Sequence, residues 1–456
     1  MQTIESAKDL SRITKNAKIS ETMTATRRKR MEQQCRVFEI KVIKGKLSSE
    51  KREHLHRLFL EGKWLWNHTL AQEDVFRANR CPKSVNVITH LGNIEERTLY
   101  VLGSQMKQDI VDSVKTAIKG LATIKKNGEK VGRIRFRKFC NSIPLRQYGI
   151  TYRIDFENNT ISIQELTKPI KVRGLSQIPE GVDIANARLV RKPSGLYFHI
   201  TTYSEKETRE YTGLIGALDF GIRKNFTFND GRSIDITVSE SRKLKSDQRK
   251  MNRLYSKNGK TSNHNKRVKQ ICRDYEKINN RKTALTNQFV HEILETYDLF
   301  AIQDDSISAW QMRRFIKRSV QYSAMGRVKA KLKASPRTIV VPYSFPSTQR
   351  CPICGRDTKH PVYKHDYNCA YCGYHHASRD QKSANMILME ALKQNVCVER
   401  TAKSPAQAMA SIGADTAVSV DCKLLPIDWN FDNQENRKPE AFVSGSSRNR
   451  RSIFLA

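Results

Sequence analysis

Three carboxylate positions and four cysteines carry the chemistry that can be read from this chain. Asp219 closes the short apolar run Ile215-Gly216-Ala217-Leu218. Asp304 and Asp305 close a second run, Phe300-Ala301-Ile302-Gln303, and Asp380 opens a helical segment at Ser378-Arg379-Asp380. Carboxylates delivered from separate elements are what metal-assisted phosphodiester hydrolysis requires. They hold two divalent ions about 3.5–4 Å apart, where water is activated and the leaving oxygen is stabilised. Mg2+ suits such a site because it prefers hard oxygen ligands and keeps several waters. Taken singly, each position has an ordinary explanation: an aspartate at a strand end starts a turn, and one at a helix start caps it. Their order along the chain is far less ordinary than any member. Of Asp304 and Asp305, alternation from Ile302 puts Asp304 on the Ile302 face, while Asp305 begins the turn; Asp305 is the expected ligand, because a group at the strand's end can reach a site bordered by Asp219 and Asp380, with Asp304 the alternative.

The cysteines form two pairs, Cys351-Pro352-Ile353-Cys354 and Cys369-Ala370-Tyr371-Cys372, separated by 14 residues. Each pair fits a tight turn that aims two thiolates inward, and two such turns complete a tetrahedral sulfur site for zinc. Gly355 and Gly373 follow each pair directly, where a turn needs positive φ. Four sulfur ligands leave no open position, so this zinc is expected to be structural. His365, His375 and His376 lie nearby without a vacancy to fill. Four unrelated buried thiols, or a redox CxxC, are the weaker explanations, since redox chemistry does not require two matched pairs.

Elements of several kinds must position these groups. Val37–Ile43 alternates as a strand, and Ser48-Ser49-Glu50 opens a helix through Leu55, Leu58, Phe59, Leu65 and Leu70. A second helix is expected over about 105–125, its apolar positions Ile110, Val114, Ala117, Ile118, Leu121 and Ile124 on one face and Asn127-Gly128 at its end. From 131 to 202 the period falls to two. Strands are expected at Arg133–Arg137, Gly149–Tyr152, Thr160–Ile163 and Leu196–Ile200, which makes a β-barrel interrupted by a helical insertion. After the Asp219 strand come a hairpin around Asp230-Gly231 and a long basic helical hairpin over 239–296 that turns at Asn258-Gly259. Then follow the Leu299–Gln303 strand, a helix over about 320–333, the strand Thr338–Val341, the cysteine pairs and the Asp380 helix.

Charge points to the partner. Lys and Arg outnumber Asp and Glu by 82 to 46, a formal net charge of +36 on 456 residues, and the excess runs the whole length of the chain. A long polyanion path explains this better than a solubility device or a membrane surface, because dispersed cations release counterions from a phosphate backbone. Arg133, Arg135 and Arg137 are candidate phosphate contacts, with a plain solvent face as the equal alternative. No apolar run reaches the ~18 residues of a membrane span, and the first 34 residues lack the apolar core of a secretory signal. The other six cysteines (Cys35, Cys81, Cys140, Cys272, Cys397 and Cys422) are scattered, which fits a reducing cytoplasm better than a disulfide scaffold.

The order strand-Asp, hairpin, strand-Asp, zinc knuckle, helix-Asp resembles the TnpB proteins of bacterial insertion sequences and the compact type V CRISPR effectors. Gly216-Ala217-Leu218-Asp219-Phe220-Gly221 is similar to their first RuvC motif. Ile302-Gln303-Asp304-Asp305 falls where the second lies, Ser347–Gly355 resembles the lead into their knuckle, and Arg379–Ala384 resembles the third motif. The likeness covers about residues 210–395 by motif, and the N-terminal half only in layout. It implies a multidomain α+β protein: an N-terminal β-barrel with a helical insertion, then an RNase H-like (RuvC) α/β nuclease domain with an inserted zinc ribbon.

The division it implies is a mobile basic N-terminus over 1–34, a wedge-type barrel over 35–46 and 129–210, and a helical recognition lobe over 47–128. The RuvC-like domain takes 211–345 and 376–395, a zinc knuckle that meets target nucleic acid takes 346–375, and a basic polar tail over 396–456 is expected to be disordered. The implied activity is RNA-guided DNA cleavage. The cofactors are two Mg2+ ions at Asp219, Asp380 and one of Asp304 or Asp305, zinc at Cys351, Cys354, Cys369 and Cys372, and a structured guide RNA. The target is double-stranded DNA opened beside a short flanking motif, and the setting is bacterial cytoplasm. Two positions depart from the family. The second acid is Asp where Glu is usual, and the Asn that often follows the third acid is replaced around Lys382 and Ser383. A nuclease-dead RNA-guided repressor, a strand-transfer transposase and a zinc-ribbon RNA binder are the rivals. Retention of all three carboxylates, the placement of the knuckle and the Asp219 hairpin count against them respectively.

Overall fold

In a computed structural model, residues 2–89, 92–128, 130–206, 212–361 and 363–402 are described. The chain divides into Met1–Lys393 and Gln394–Ala456, and the fold below belongs to the first. The tail expected to be disordered lies almost wholly outside the described residues. Residues read as aperiodic at the N-terminus instead form helix α1 (Gln2–Glu32), exposed wherever its side chains are described.

Strand β1 (Gln34–Val42) leads to α2 (Ser49–Leu70), whose cap Ser48 accepts from the Lys51 amide. A hairpin of β2 (Ser84–Ile88) and β3 (Ile94–Thr98) follows, then α3 (Ser104–Lys126). This hairpin lies inside the segment expected to be a helical lobe. Strands β4 (Ser142–Leu145), β5 (Tyr152–Asp155), β6 (Thr160–Ile163), β7 (Ile170–Arg173), β8 (Asp183–Lys192) and β9 (Gly195–Ser204) join β1 in one antiparallel sheet, in the order β4-β8-β9-β1-β7-β6-β5. The strand expected at Arg133–Arg137 is absent: that stretch is extended but unpaired, and the first strand after α3 starts at Ser142. Gly149–Thr151 form a turn, so β5 begins only at Tyr152.

The seven-stranded sheet curls until its edge strand β5 reaches β8, the strand next to the opposite edge. Tyr152, on the edge strand β5, donates its hydroxyl to the Ala185 carbonyl at 2.9 Å, at the irregular stretch of β8 where the pairing register shifts between Ile184 and Ala187. That irregularity sharpens the bend. Ile40, Ile143, Phe198 and Ile200 from the sheet share one apolar core with Leu58, Leu65, Met106 and Val111 from α2 and α3. Glu61, fully buried on α2, accepts from the amides of Tyr100, Val101 and Leu102 and so locks the approach to α3.

The second sheet has five strands: β10 (Ile215–Phe220), β11 (Phe226–Phe228), β12 (Ser233–Ile234), β13 (Leu299–Gln303) and β14 (Thr338–Val341), in the order β12-β11-β10-β13-β14. The first two pairings are antiparallel; β10–β13 and β13–β14 are parallel. Parallel neighbours need crossovers. Helices α4 (Arg242–Asn258) and α5 (Ser262–Thr296) supply one, and α6 (Ile307–Trp310), α7 (Lys317–Tyr322) and α8 (Met325–Lys333) supply the other. The single helix expected over 320–333 is broken at Ser323–Ala324, where Ala324 donates to the Ile236 carbonyl.

One face of this sheet is aromatic: Phe228 and Phe300 stand 6.1 Å apart, and Phe226 lies 4.8 Å from Phe289 of α5. The other face carries small residues, Ala217 and Ala301, on which Ile387 and Ala391 of the final helix α9 (Arg379–Ala402) pack. Between α8 and α9 lies a short hairpin, β15 (Tyr367–Asn368) with β16 (His375–His376). No helix among the described residues is long and apolar enough to cross a membrane.

If the Tyr152–Ala185 bond closes the curled sheet, Tyr152→Phe should lower stability by about 1–3 kcal/mol, because it leaves a buried carbonyl unpaired. Urea unfolding followed by circular dichroism checks this; an unchanged midpoint would show that β5 is held against β8 by packing alone.

Candidate functional site

Strand alternation distributes the acids. On β10, Ala217 and Asp219 share the face that meets α9, while Gly216, Leu218 and Phe220 turn the other way. Gly216 is required there, since a Cβ would meet the Tyr297 ring at 2.7 Å. Asp219, expected at the end of its strand, sits within it and pairs with Thr227 of β11. On β13, Ala301 and Gln303 face α9, and the same parity carried past the strand end assigns Asp305 to that side and Asp304 to the other.

The surroundings agree with that parity. Asp304 is bound by two lysines of α8, with Lys329 Nζ at 2.7 Å and Lys333 Nζ at 3.0 Å, which hold its carboxyl below the usual range. Asp305 is shielded: burial raises it to about 6, against the pull of the Lys329 charge and with help from Asp304. Asp219 is 7% exposed, and burial pushes it well up, reinforced by the charges of Asp305 and Asp380 and opposed by the Ser383 hydroxyl and Arg379. Asp380 lies in the first turn of α9. A Cβ on Gly221 would come within 3.9 Å of Asp380 Oδ2 and 2.5 Å of the Lys224 carbonyl. The glycine is required by the close approach of the Lys224 carbonyl, and Asp380 lies in ordinary contact distance beside it. Asp305 and Asp380 thus lie near enough to Asp219 for their charges to act on it, whereas Asp304 is held in a surface ion pair. A buried carboxylate beside two others is costly unless it is protonated or joined by a cation, and hard oxygen donors from three elements are the donor set Mg2+ takes.

The second site is tighter. Cys351, Cys354, Cys369 and Cys372 have all four ligand sulfurs within 4.8 Å of one another, and among the described residues no other group of three or more His, Cys, Asp or Glu side chains meets such spacing. Cys351 and Cys372 Sγ are 3.5 Å apart, and Cys354 and Cys369 Sγ 3.6 Å. A tetrahedral ion with sulfurs at 2.3 Å spaces them about 3.8 Å apart, so the residues fit zinc. Each pair sits on the expected turn. Gly355 and Gly373 take φ of 69° and 71°, and donate to the Cys351 and Cys369 carbonyls.

Sequence reasoning passed over three residues that join the two sites. Lys382, 1% exposed, stands one turn into α9. Its ammonium donates to the carbonyls of Ser347 (2.9 Å), Thr348 (3.0 Å) and Arg350 (2.9 Å) and lies 3.9 Å from the centre of the Tyr367 ring. Burial pulls its pKa down to about 8, opposed by the Cys351 and Asp219 charges. Ser383, its neighbour, lies 3.1 Å from Asp219 Oδ1 and 2.9 Å from Ser347 Oγ. Ser347 donates at 2.6 Å to Gln303 Oε1, while Gln303 Nε2 donates to the Phe345 carbonyl. The only sequence signal was the departure at Lys382 and Ser383 from the pattern of the third motif.

Of the candidate phosphate contacts, Arg133 and Arg135 are exposed, and Arg137 lies over the Trp66 ring at 3.1 Å with its backbone bonded to the Asn67 side chain. Phe136 and Phe139 beside them are also exposed.

No known protein family matches the sequence, and no curated protein matches it. Among solved structures the chain is similar to one described as the cryo-EM structure of a Cas12f1–sgRNA–target DNA complex. The identity is 13% over 78% of this chain and 99% of that one, with a TM-score of 0.24, a likeness too slight to carry an argument.

Two outcomes follow from the electrostatics and the sulfurs. Asp305, with a folded pKa of about 6 against 3.8, contributes stability that is full below pH 3.8 and is lost as pH rises through 6. In EDTA, Asp305→Asn should therefore melt close to the wild type at pH 4 and a few degrees higher at pH 7.5; a gap that shrinks with pH would refute the burial argument. Metal analysis should find one zinc per chain, and its removal by a strong chelator should unfold residues 347–376, read by hydrogen exchange. Unchanged protection after complete removal would count against a structural zinc.

Proposed function

We propose that this chain is an RNA-guided DNA endonuclease that cuts double-stranded DNA beside a short flanking motif, using one RuvC-like two-metal site. The observation that carries the proposal is the convergence of Asp219, Asp305 and Asp380 from a central strand, a neighbouring strand end and a helix start, with Asp219 buried beside the other two charges. The site is the kind that a five-stranded sheet with mixed pairing and a returning C-terminal helix can build, and the sequence motifs resemble the RuvC set. Divalent ions bound there supply activation of water and stabilisation of the leaving oxygen.

The chain's own groups do the holding. Asp219 sits in rigid strand, so its oxygens cannot retreat. Asp380 lies beside Gly221, and Asp305 reaches in from the end of β13. Lys329 serves two purposes: it neutralises Asp304 and takes the Asp305 carbonyl at 2.5 Å, which fixes the peptide that aims Asp305 inward. Zinc at the four cysteines shapes the module between β14 and α9. The +36 charge supports guide RNA and target DNA as partners, and exposed Arg133 and Arg135 are phosphate contacts in this reading. The second reading is an RNA-guided DNA binder that no longer cuts; the retained carboxylates at 219, 305 and 380 count against it.

Cleavage of pre-bound target DNA in excess Mg2+ separates these readings. Asp219→Ala, Asp380→Ala and Asp305→Ala should each lower cutting by at least about 100-fold while RNA and DNA binding persist, and Asp304→Ala should keep most activity. Guided binding without cutting by the wild type would select the rival, and full activity in Asp305→Ala would remove that residue from the site.

A further inference from the structure

We infer that Ser347 is a positioning residue that links the zinc module to the acidic site, with Lys382 and Ser383 as its two connections. This rests on the reading of Asp219, Asp305 and Asp380 as divalent-cation ligands. Ser347 is used at both ends. Its carbonyl is one of three from a four-residue stretch that accept from the Lys382 ammonium, and that stretch ends at the residue before Cys351. Its hydroxyl, 3% exposed, stands between Gln303 on β13 and Ser383 on α9, and Ser383 in turn touches Asp219 Oδ1.

The directions of these bonds are constrained. Gln303 Nε2 gives its proton to Phe345, so Oε1 can only accept, and the Ser347 proton goes to it. With the Ser347 proton committed, Ser383 is the only donor between the two serine oxygens, and its single proton is shared between Ser347 Oγ at 2.9 Å and Asp219 Oδ1 at 3.1 Å. Moving the 347–350 stretch therefore does two things together. It withdraws the carbonyls that hold the buried ammonium of Lys382, two residues after Asp380 on α9, and it withdraws the oxygen that Ser383 contacts beside Asp219. Buried charges tolerate such losses poorly, so the stretch and the two carboxylates must shift as one body. Two further contacts tie α9 to the same module: the Arg379 amide donates to the His365 carbonyl at 2.6 Å, and the Lys382 ammonium lies over the ring of Tyr367, whose hydroxyl donates to the Gln349 carbonyl at 2.9 Å. Zinc occupancy, which sets the fold of the module, thereby sets the geometry of the acidic site without supplying any ligand to it.

The test measures Mn2+ binding to the full chain by electron paramagnetic resonance, a readout that needs no cleavage, alongside zinc content and circular dichroism. Ser347→Ala removes the hydroxyl and keeps all three carbonyl contacts. It should retain one zinc and wild-type circular dichroism, yet bind Mn2+ about 10-fold more weakly, the effect of one lost buried hydrogen bond of about 1.4 kcal/mol. Ser347→Thr, which keeps a hydroxyl, should recover most of that loss. Stripping zinc from the wild type should weaken Mn2+ binding at least as much as Ser347→Ala does, and should weaken it little further in the variant. Lys382→Met should match the zinc-stripped protein; if it does not fold, Ser347→Ala and the zinc-stripped wild type decide. Wild-type Mn2+ affinity in folded Ser347→Ala, or in zinc-stripped protein, overturns the inference even when the wild type cuts DNA. Coupled Mn2+ and zinc binding in a wild type that cuts no guided target upholds it and overturns the proposed function instead.

Discussion

A buried aspartate that must keep company with two others is the constraint around which the C-terminal half of this protein is arranged. Asp219 is 7% exposed on a central strand, with Asp305 and Asp380 raising its affinity for a proton. Burial alone opposes the charge, and like charges oppose it further. A sequence would not retain such an arrangement for stability, because an apolar residue at 219 would fill the space without that cost. Local features accommodate it: Gly221, just after the strand, has no side chain to strike the Lys224 carbonyl. Ala217 and Ala301 thin the sheet face so that α9 can lie close, with Asp380 and Ser383 at its near end.

The complementary feature is a buried cation. Lys382 is 1% exposed, and its three proton donors are all matched by carbonyls, with an aromatic face beneath. Full satisfaction is what makes a buried ammonium tolerable. The carbonyls belong to the lead-in of the four-cysteine module, so the charge that α9 carries inward is neutralised by dipoles that the module supplies. The zinc-binding segment and the acidic helix are in this way parts of one electrostatic unit, although they contribute to different metal sites.

The N-terminal half is held by different physics. Its curled sheet and the helices α2 and α3 share one apolar core, and the buried charge there, Glu61, is spent on three backbone amides and an ion pair with Arg57. Lys107, also buried, donates to the Leu99 carbonyl, and other cations are laid over rings, as Arg137 is over Trp66 and Arg57 over Trp64 and Tyr100.

Much of this was legible in one dimension. Helices α2, α3, α4 and α5 and strands β13 and β14 follow from periodicity and end signals, because those elements bury one regular face. The cysteine turns follow from their spacing and the glycines behind them. Three things were not legible, each for a physical reason. The N-terminal residues lack an apolar stripe, so nothing local announced α1. Arg133–Arg137 alternates like a strand, but pairing needs a partner edge, and Asn67 and Trp66 occupy that side. The choice between Asp304 and Asp305 turned on which sheet face meets α9 and which meets α8, a matter of distant packing that adjacent residues cannot encode. Composition and spacing determined the ligand types and the charge; tertiary structure alone decided which carboxylates meet, because burial and neighbouring charge exist only once the strands and α9 are stacked.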